Sequence, residues 1–117
     1  MNADGIEGLE VQTYDGDFFR PLVVFDAWRI AALNHGPHFE CLRRLERHLQ
    51  TDESFVLLAG EATLHIGEDA KAVPMSIGAV YNVRKGTWHT IVTRPGARCL
   101  VVENADTSRD NTEYLDL

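Results

Sequence analysis

Five histidines are spread along the chain, at positions 35, 38, 48, 65 and 89, and one of them stands in a spacing that suggests shared chemistry. His48 follows Glu46 by two residues and precedes Glu53 by five. On an extended strand, side chains two apart share a face. Glu46 and His48 would then point together, with Glu53 arriving from the next strand after a turn. His89, at the head of an apolar run, is the natural fourth member. Two imidazoles and two carboxylates meeting at one point suit a divalent first-row ion. The other histidines read differently. His35 and His38 flank Gly36-Pro37 and are expected in a turn, while His65 shares its strand face with Thr63 and is expected to face solvent or a partner.

Such a site needs strands to carry it, and the sequence supplies them. Apolar, β-branched runs at 19–25, 28–33, 54–59, 62–66, 79–83, 88–93 and 99–102 are separated by Gly- and Pro-containing breaks such as Asn34-His35-Gly36-Pro37, Gly60-Glu61 and Pro95-Gly96. In 62–66, Ala62, Leu64 and Ile66 alternate with Thr63 and His65, the period of a half-buried strand. Short runs at this spacing predict an all-β fold, a sandwich or a small antiparallel β-barrel. No internal repeat or linker is visible, so residues 1–117 are read as one domain.

One stretch pulls the other way. From 39 to 50, Leu42, Leu45 and Leu49 recur at helical spacing among good helix formers, and taken alone they predict an amphipathic helix. On a helix, however, Glu46 and His48 would point about 200° apart. Helix and strand therefore predict opposite chemistry here.

Composition narrows the partners. Eleven Lys and Arg against eighteen Asp and Glu leave a net charge of −7, which disfavours a phosphate backbone and so nucleic-acid binding. Arg43, Arg44 and Arg47 lie close together, but Glu40 and Glu46 are interleaved with them. No apolar run approaches the length of a membrane span, and the opening Met1-Asn2-Ala3-Asp4-Gly5 does not read as a signal peptide. Cys41 and Cys99 both sit in apolar stretches and are expected as buried free thiols, which with the missing signal points to the cytoplasm. A disulfide between them is the lesser alternative. The tail from Glu103 to Tyr114 is polar, and disorder is its default; its ending Tyr114-Leu115-Asp116-Leu117 offers an alternative, docking on the barrel or on a second chain.

The spacing of these residues resembles that of the cupin superfamily, whose first motif is usually written G-x5-H-x-H-x3,4-E-x6-G and whose second is G-x5-P-x-G-x2-H-x3-N. Glu46-Arg47-His48, then Glu53, then Gly60 follow the four-residue spacer form of the first, and Gly78, Gly86 and His89 fall at the spacing of the second. The likeness covers about residues 40–93, with a polar tail at about 104–117. It implies a double-stranded β-helix of jelly-roll type, a metal held by Glu46, His48, Glu53 and His89, and a homodimer. The sequence departs from the motifs at Glu40, Glu46, Arg84 and Thr93, which replace the first glycine, the first histidine, the proline and the asparagine. Glu46 matters most. It makes the set harder and more anionic, favouring Zn, Ni, Mn or Fe over Cu(I). It can equally stand back as a general base, and loss of the metal altogether would leave a hydrogen-bonded polar cluster.

Arg44 has the strand parity of Glu46 and His48 and is a candidate anchor for an acidic ligand, or else a surface ion pair. Phe55 and Leu57 share parity with Glu53 and, with Tyr81, are candidate pocket residues, unless they are simply core. Trp88 is placed to hold the His89 ring or close the mouth, unless it is a core anchor. Three functions follow as alternatives. The first is a metal-dependent enzyme acting on a small oxygen-rich molecule, with Glu46 as ligand or base. The second is a non-catalytic module binding a small-molecule ligand, with or without metal, and the third a purely structural protein.

Overall fold

The computed structural model describes residues 6–117, so the opening segment read above for a signal peptide lies outside it. Among the described residues, ten strands form two five-stranded antiparallel sheets. The first sheet contains β1 (Phe18–Phe25), β2 (Trp28–Asn34), β9 (Arg98–Asn104), β4 (Glu53–Ala59) and β7 (Val80–Val83), in that spatial order. The second contains β10 (Thr112–Asp116), β3 (Arg44–His48), β8 (His89–Thr93), β5 (Ala62–Ile66) and β6 (Lys71–Pro74). The all-β class expected from the spaced apolar runs is the class found, and no helix among the described residues is long and apolar enough to cross a membrane.

The sheets close on each other because their inner faces are the apolar halves of alternating strands. Leu33, Phe55, Leu57, Ala62, Leu64, Val83, Ile91, Cys99 and Val101 form one buried cluster. Register explains how they meet: Leu57 lies opposite Cys99, Phe55 opposite both Val101 and Tyr81, and Leu64 opposite Ile91. Gly60 makes the tight β4–β5 turn at φ +76°, where a Cβ would stand 2.7 Å from the Ala97 Cα, so only glycine fits without moving backbone.

The ambiguous stretch resolves as β3. Residues 37–39 form a single 3-10 turn, and the chain from Arg44 to His48 is extended between β10 and β8. The helical leucine spacing is accidental, since Leu45 is fully buried while Leu42 and Leu49 are exposed. The tail departs from its default. It forms β10, pairing Thr112 with His48 and Tyr114 with Glu46, and the Leu117 and Leu49 amides donate to the Arg43 and Asn111 carbonyls beyond either end. A strand missed by pattern, β6, pairs with β5. One cysteine also corrects expectation: Cys99 is buried, but Cys41 lies outside any strand and is exposed, and neither is bridged.

Candidate metal centre

Three strands deliver the four residues. Glu46 and His48 share the inner face of β3, Glu53 begins β4, and His89 begins β8 directly across from Glu46. The β7–β8 turn is anchored to the end of β3, where the Gly86 amide donates to the His48 carbonyl at 2.7 Å. That bond ties the two histidine-bearing strands together. One ligand atom from each of Glu46, His48, Glu53 and His89 lies within 4.8 Å of the others.

The two imidazoles are oriented from behind. His89 Nδ1 lies 3.0 Å from the Thr87 carbonyl, which can only accept, so Nδ1 carries the proton. His48 Nδ1 is 2.9 Å from the Thr112 hydroxyl. Both Nε2 atoms face Glu53 Oε1, at 3.0 Å from His48 and 2.8 Å from His89. With Nδ1–H committed, a neutral His89 would present a lone pair to a carboxylate, so the centre calls for a cation between them, either a proton or a metal ion. A metal-ligating histidine is normally held in this way, with its far nitrogen fixed by a carbonyl, hydroxyl or carboxylate.

Electrostatics agree. Glu53 is driven up by burial, but the hydrogen bonds and charge of His48 and His89 outweigh that and hold it well below the usual carboxylate range. Burial pulls the two histidines down, yet their bonds to Glu53 leave both raised. Glu46 is raised by burial and then by the Glu53 charge. Three carboxylates, Glu46, Glu53 and Glu103, line the cavity with one buried guanidinium, that of Arg29. With all three ionised, the two remaining negative charges are what a divalent ion would neutralise with both imidazoles neutral. The donor set fits a divalent metal.

These residues line a cavity of about 300 Å³ with Phe19, Phe39, Phe55 and Tyr114 along its walls. Phe55 lines this cavity and also belongs to the buried core cluster. Leu57 packs instead in the core, and Tyr81 lines a different cavity with Leu64 and Val73, its hydroxyl accepting from the Ser76 amide. Arg44 keeps the inner-face parity but sits at the rim, because Asp116 opposite it on β10 takes its Nε at 2.8 Å and Tyr114 lies beneath the guanidinium. It does not reach this cavity. Trp88 lies under Arg47, and it is the backbone of neighbouring Thr87 that orients His89.

Sequence reading missed Glu103 and Arg29. Glu103 is buried in the cavity, where burial and the Glu53 charge push its carboxyl up to about 7 against the pull of Arg29. Its signal was present: Cys99, Val101 and Glu103 alternate along β9, and the strand simply runs one turn of the pleat further than its apolar residues suggest.

No family model matches the sequence, and no curated protein matches it. Solved structures do match. Streptomyces Pac13, described as a unique nucleoside dehydratase and also solved as variants with uridine, superposes with a TM-score of 0.64 at 8% identity, covering 93% of this chain and 92% of that one. An RmlC-like cupin with a double-stranded β-helix fold from Methanocaldococcus jannaschii gives 0.64 at 14% identity, over 83% and 91% of the two chains. A cupin-2 domain protein from Shewanella frigidimarina gives 0.60 at 14% identity, over 78% and 84%. At such identities the likeness is one of fold. With its two facing antiparallel sheets, this chain is a small protein of the cupin fold.

Proposed function

We propose that the protein is a metal-dependent cupin enzyme acting on a small, oxygen-rich molecule bound in the cavity beside His48 and His89. The observation that carries this reading is the convergence of both Nε2 atoms on Glu53 with each Nδ1 tied to an outer oxygen. His48, Glu53 and His89 hold the ion, and Glu46 completes the set. The ion is Zn, Ni, Mn or Fe, and when bound it supplies a Lewis acid. Glu46 is the group best placed to move a proton. Its side chain is 38% exposed toward the mouth, and burial of the rest raises its affinity for a proton. Aromatic walls exclude water from one face of the ligand. The Pac13 structures with uridine support a small-molecule ligand in a barrel of this shape.

Metal analysis of protein purified without a histidine tag tests the reading. About one equivalent of a first-row ion is expected, absent from His48→Ala and His89→Ala. Glu46→Gln that keeps the ion but stops turnover marks Glu46 as the base; loss of the ion marks it as a ligand. Wild-type protein that takes up no ion on reconstitution would sink the proposal. It would leave a second reading, favoured by the hydrogen-bonding distance of both histidines from Glu53: a metal-free module that binds a small ligand with a protonated polar cluster.

The same proposal includes a homodimer. Phe25, Trp28, Val80 and Val102 are all exposed on the first sheet, and a second copy would cover them. Sedimentation at micromolar concentration should give twice the chain mass, and a monomer would remove this part alone.

A further inference from the structure

Glu103 lines the cavity without belonging to the four-residue cluster, and half of its carboxylate is unused. Its side chain is 3% exposed. Oε2 accepts from Arg29 Nη2 at 3.0 Å. Among the described residues Oε1 accepts no hydrogen bond, and His48 Nε2, at 3.9 Å, is beyond reach of one. Arg29 is itself held: its terminal nitrogens also donate to the carbonyls of Ala105 and Thr107 and Phe19 covers it, while its buried Nε has no partner among the described residues. The other arginine of the lining, Arg109, is exposed at the mouth, where solvent screens it. Beyond the ion of the proposed function and the unpartnered Arg29 Nε, the interior offers carboxylate acceptors and aromatic surface.

A ligand that fits this lining brings donors. Resting on the reading of this cavity as the substrate site, we propose that Glu103 determines specificity: its free Oε1 accepts a hydrogen bond from a substrate hydroxyl. It thereby selects an uncharged polyhydroxylated compound with a flat apolar face over the corresponding acid. Arg29 is the positioning residue, because it fixes which oxygen stays free. A carboxylate on the ligand would meet Glu103 and Glu46 as like charges. Glutamine at 103 would turn its carbonyl to Arg29 and present an amide donor to the cavity, reversing the recognition.

The test is calorimetric titration of the metal-loaded full chain, at about pH 8 so that carboxylates are ionised. Phenyl β-D-glucopyranoside is compared with its glucuronide, the matched acid. The wild type should bind the glucoside at least about tenfold more tightly. Glu103→Gln should weaken the glucoside by about tenfold and bring the ratio of the two ligands near one, with the metal content unchanged. Should that variant not fold, Glu103→Asp keeps the charge but withdraws the acceptor, and the same collapse is expected. A wild-type ratio at or below one, no binding of either probe, or a variant that weakens both equally would overturn the proposal. Metal content read in the same samples separates this outcome from failure of the metal reading, which would appear as an ion-free wild type that still discriminates between the probes.

Discussion

The two ends of the barrel interior are built from the same strands and behave as different materials. Along β4 the inner face runs Glu53, Phe55, Leu57; along β8, His89, Ile91, Thr93; along β9, read backwards, Glu103, Val101, Cys99. Each strand passes from an ionisable group to packed side chains within three inward positions. At the apolar end the sheets are held together by dispersion and burial, with one polar contact, the Thr93 hydroxyl 2.8 Å from His35 Nδ1. At the polar end, buried charges contribute little net stability, because pairing must first offset their removal from water. The packed end makes the protein fold, and in doing so it forces the charged end into a geometry that charges alone would not adopt.

If that division holds, changes at each end should move different observables. Leu57→Ala, at a site 1% exposed, should destabilise the protein by about 2–5 kcal/mol in chemical denaturation while the folded fraction still takes up metal. His89→Ala should abolish stabilisation by added metal, which in the wild type should reach about 2.7 kcal/mol when the ion is at a hundred times its Kd. Thr112→Val removes the hydroxyl behind His48 and keeps its shape, so metal affinity should fall about tenfold with thermal stability nearly unchanged. Equal destabilisation by the leucine and histidine changes, with no difference in metal response, would break the comparison.

The smallest expected effect is on pH. Raised histidines stabilise the metal-free fold fully below their ordinary value of 6.5 and lose that contribution as pH rises through their raised values. Lowered Glu53 contributes above its ordinary 4.5 and stops contributing as pH falls through its depressed value. These three groups together contribute most between 4.5 and 6.5. The raised Glu46 and Glu103 cost stability as pH rises above 4.5, and they move the optimum of the metal-free protein toward the lower end of that window. Metal binding should strengthen as pH rises, since the ion replaces the histidine protons. Parallel denaturation and metal titrations across pH would show two opposed slopes; slopes of the same sign would remove the proton–metal competition at Glu53.

Legibility in the sequence followed the same division. β5 announces itself because Ala62, Leu64 and Ile66 alternate against polar neighbours, and the spacing of Glu46, His48, Glu53 and His89 brings these residues to one cavity. β3 was ambiguous because five residues hold too few repeats for a period of two to beat an accidental leucine spacing. β10 was hidden for a different reason. Its inward side chains are Thr112 and Tyr114, which face the cavity, so it lacks the apolar stripe by which strands are recognised. Arg44 shows the limit of parity: alternation gave the face, while its partner Asp116, seventy-two residues away, decided where on that face the side chain rests.

The strand that closes over β3 also sets the order in which the centre can be built during synthesis. His48, Glu53 and His89 leave the ribosome well before Thr112, and until that hydroxyl arrives the His48 ring has nothing to fix its outward nitrogen. A nascent chain stopped short of β10 would present a loosened cluster to any ion it met. Were the centre to hold an ion, its fully ordered form would exist only once nearly the whole described chain had been made.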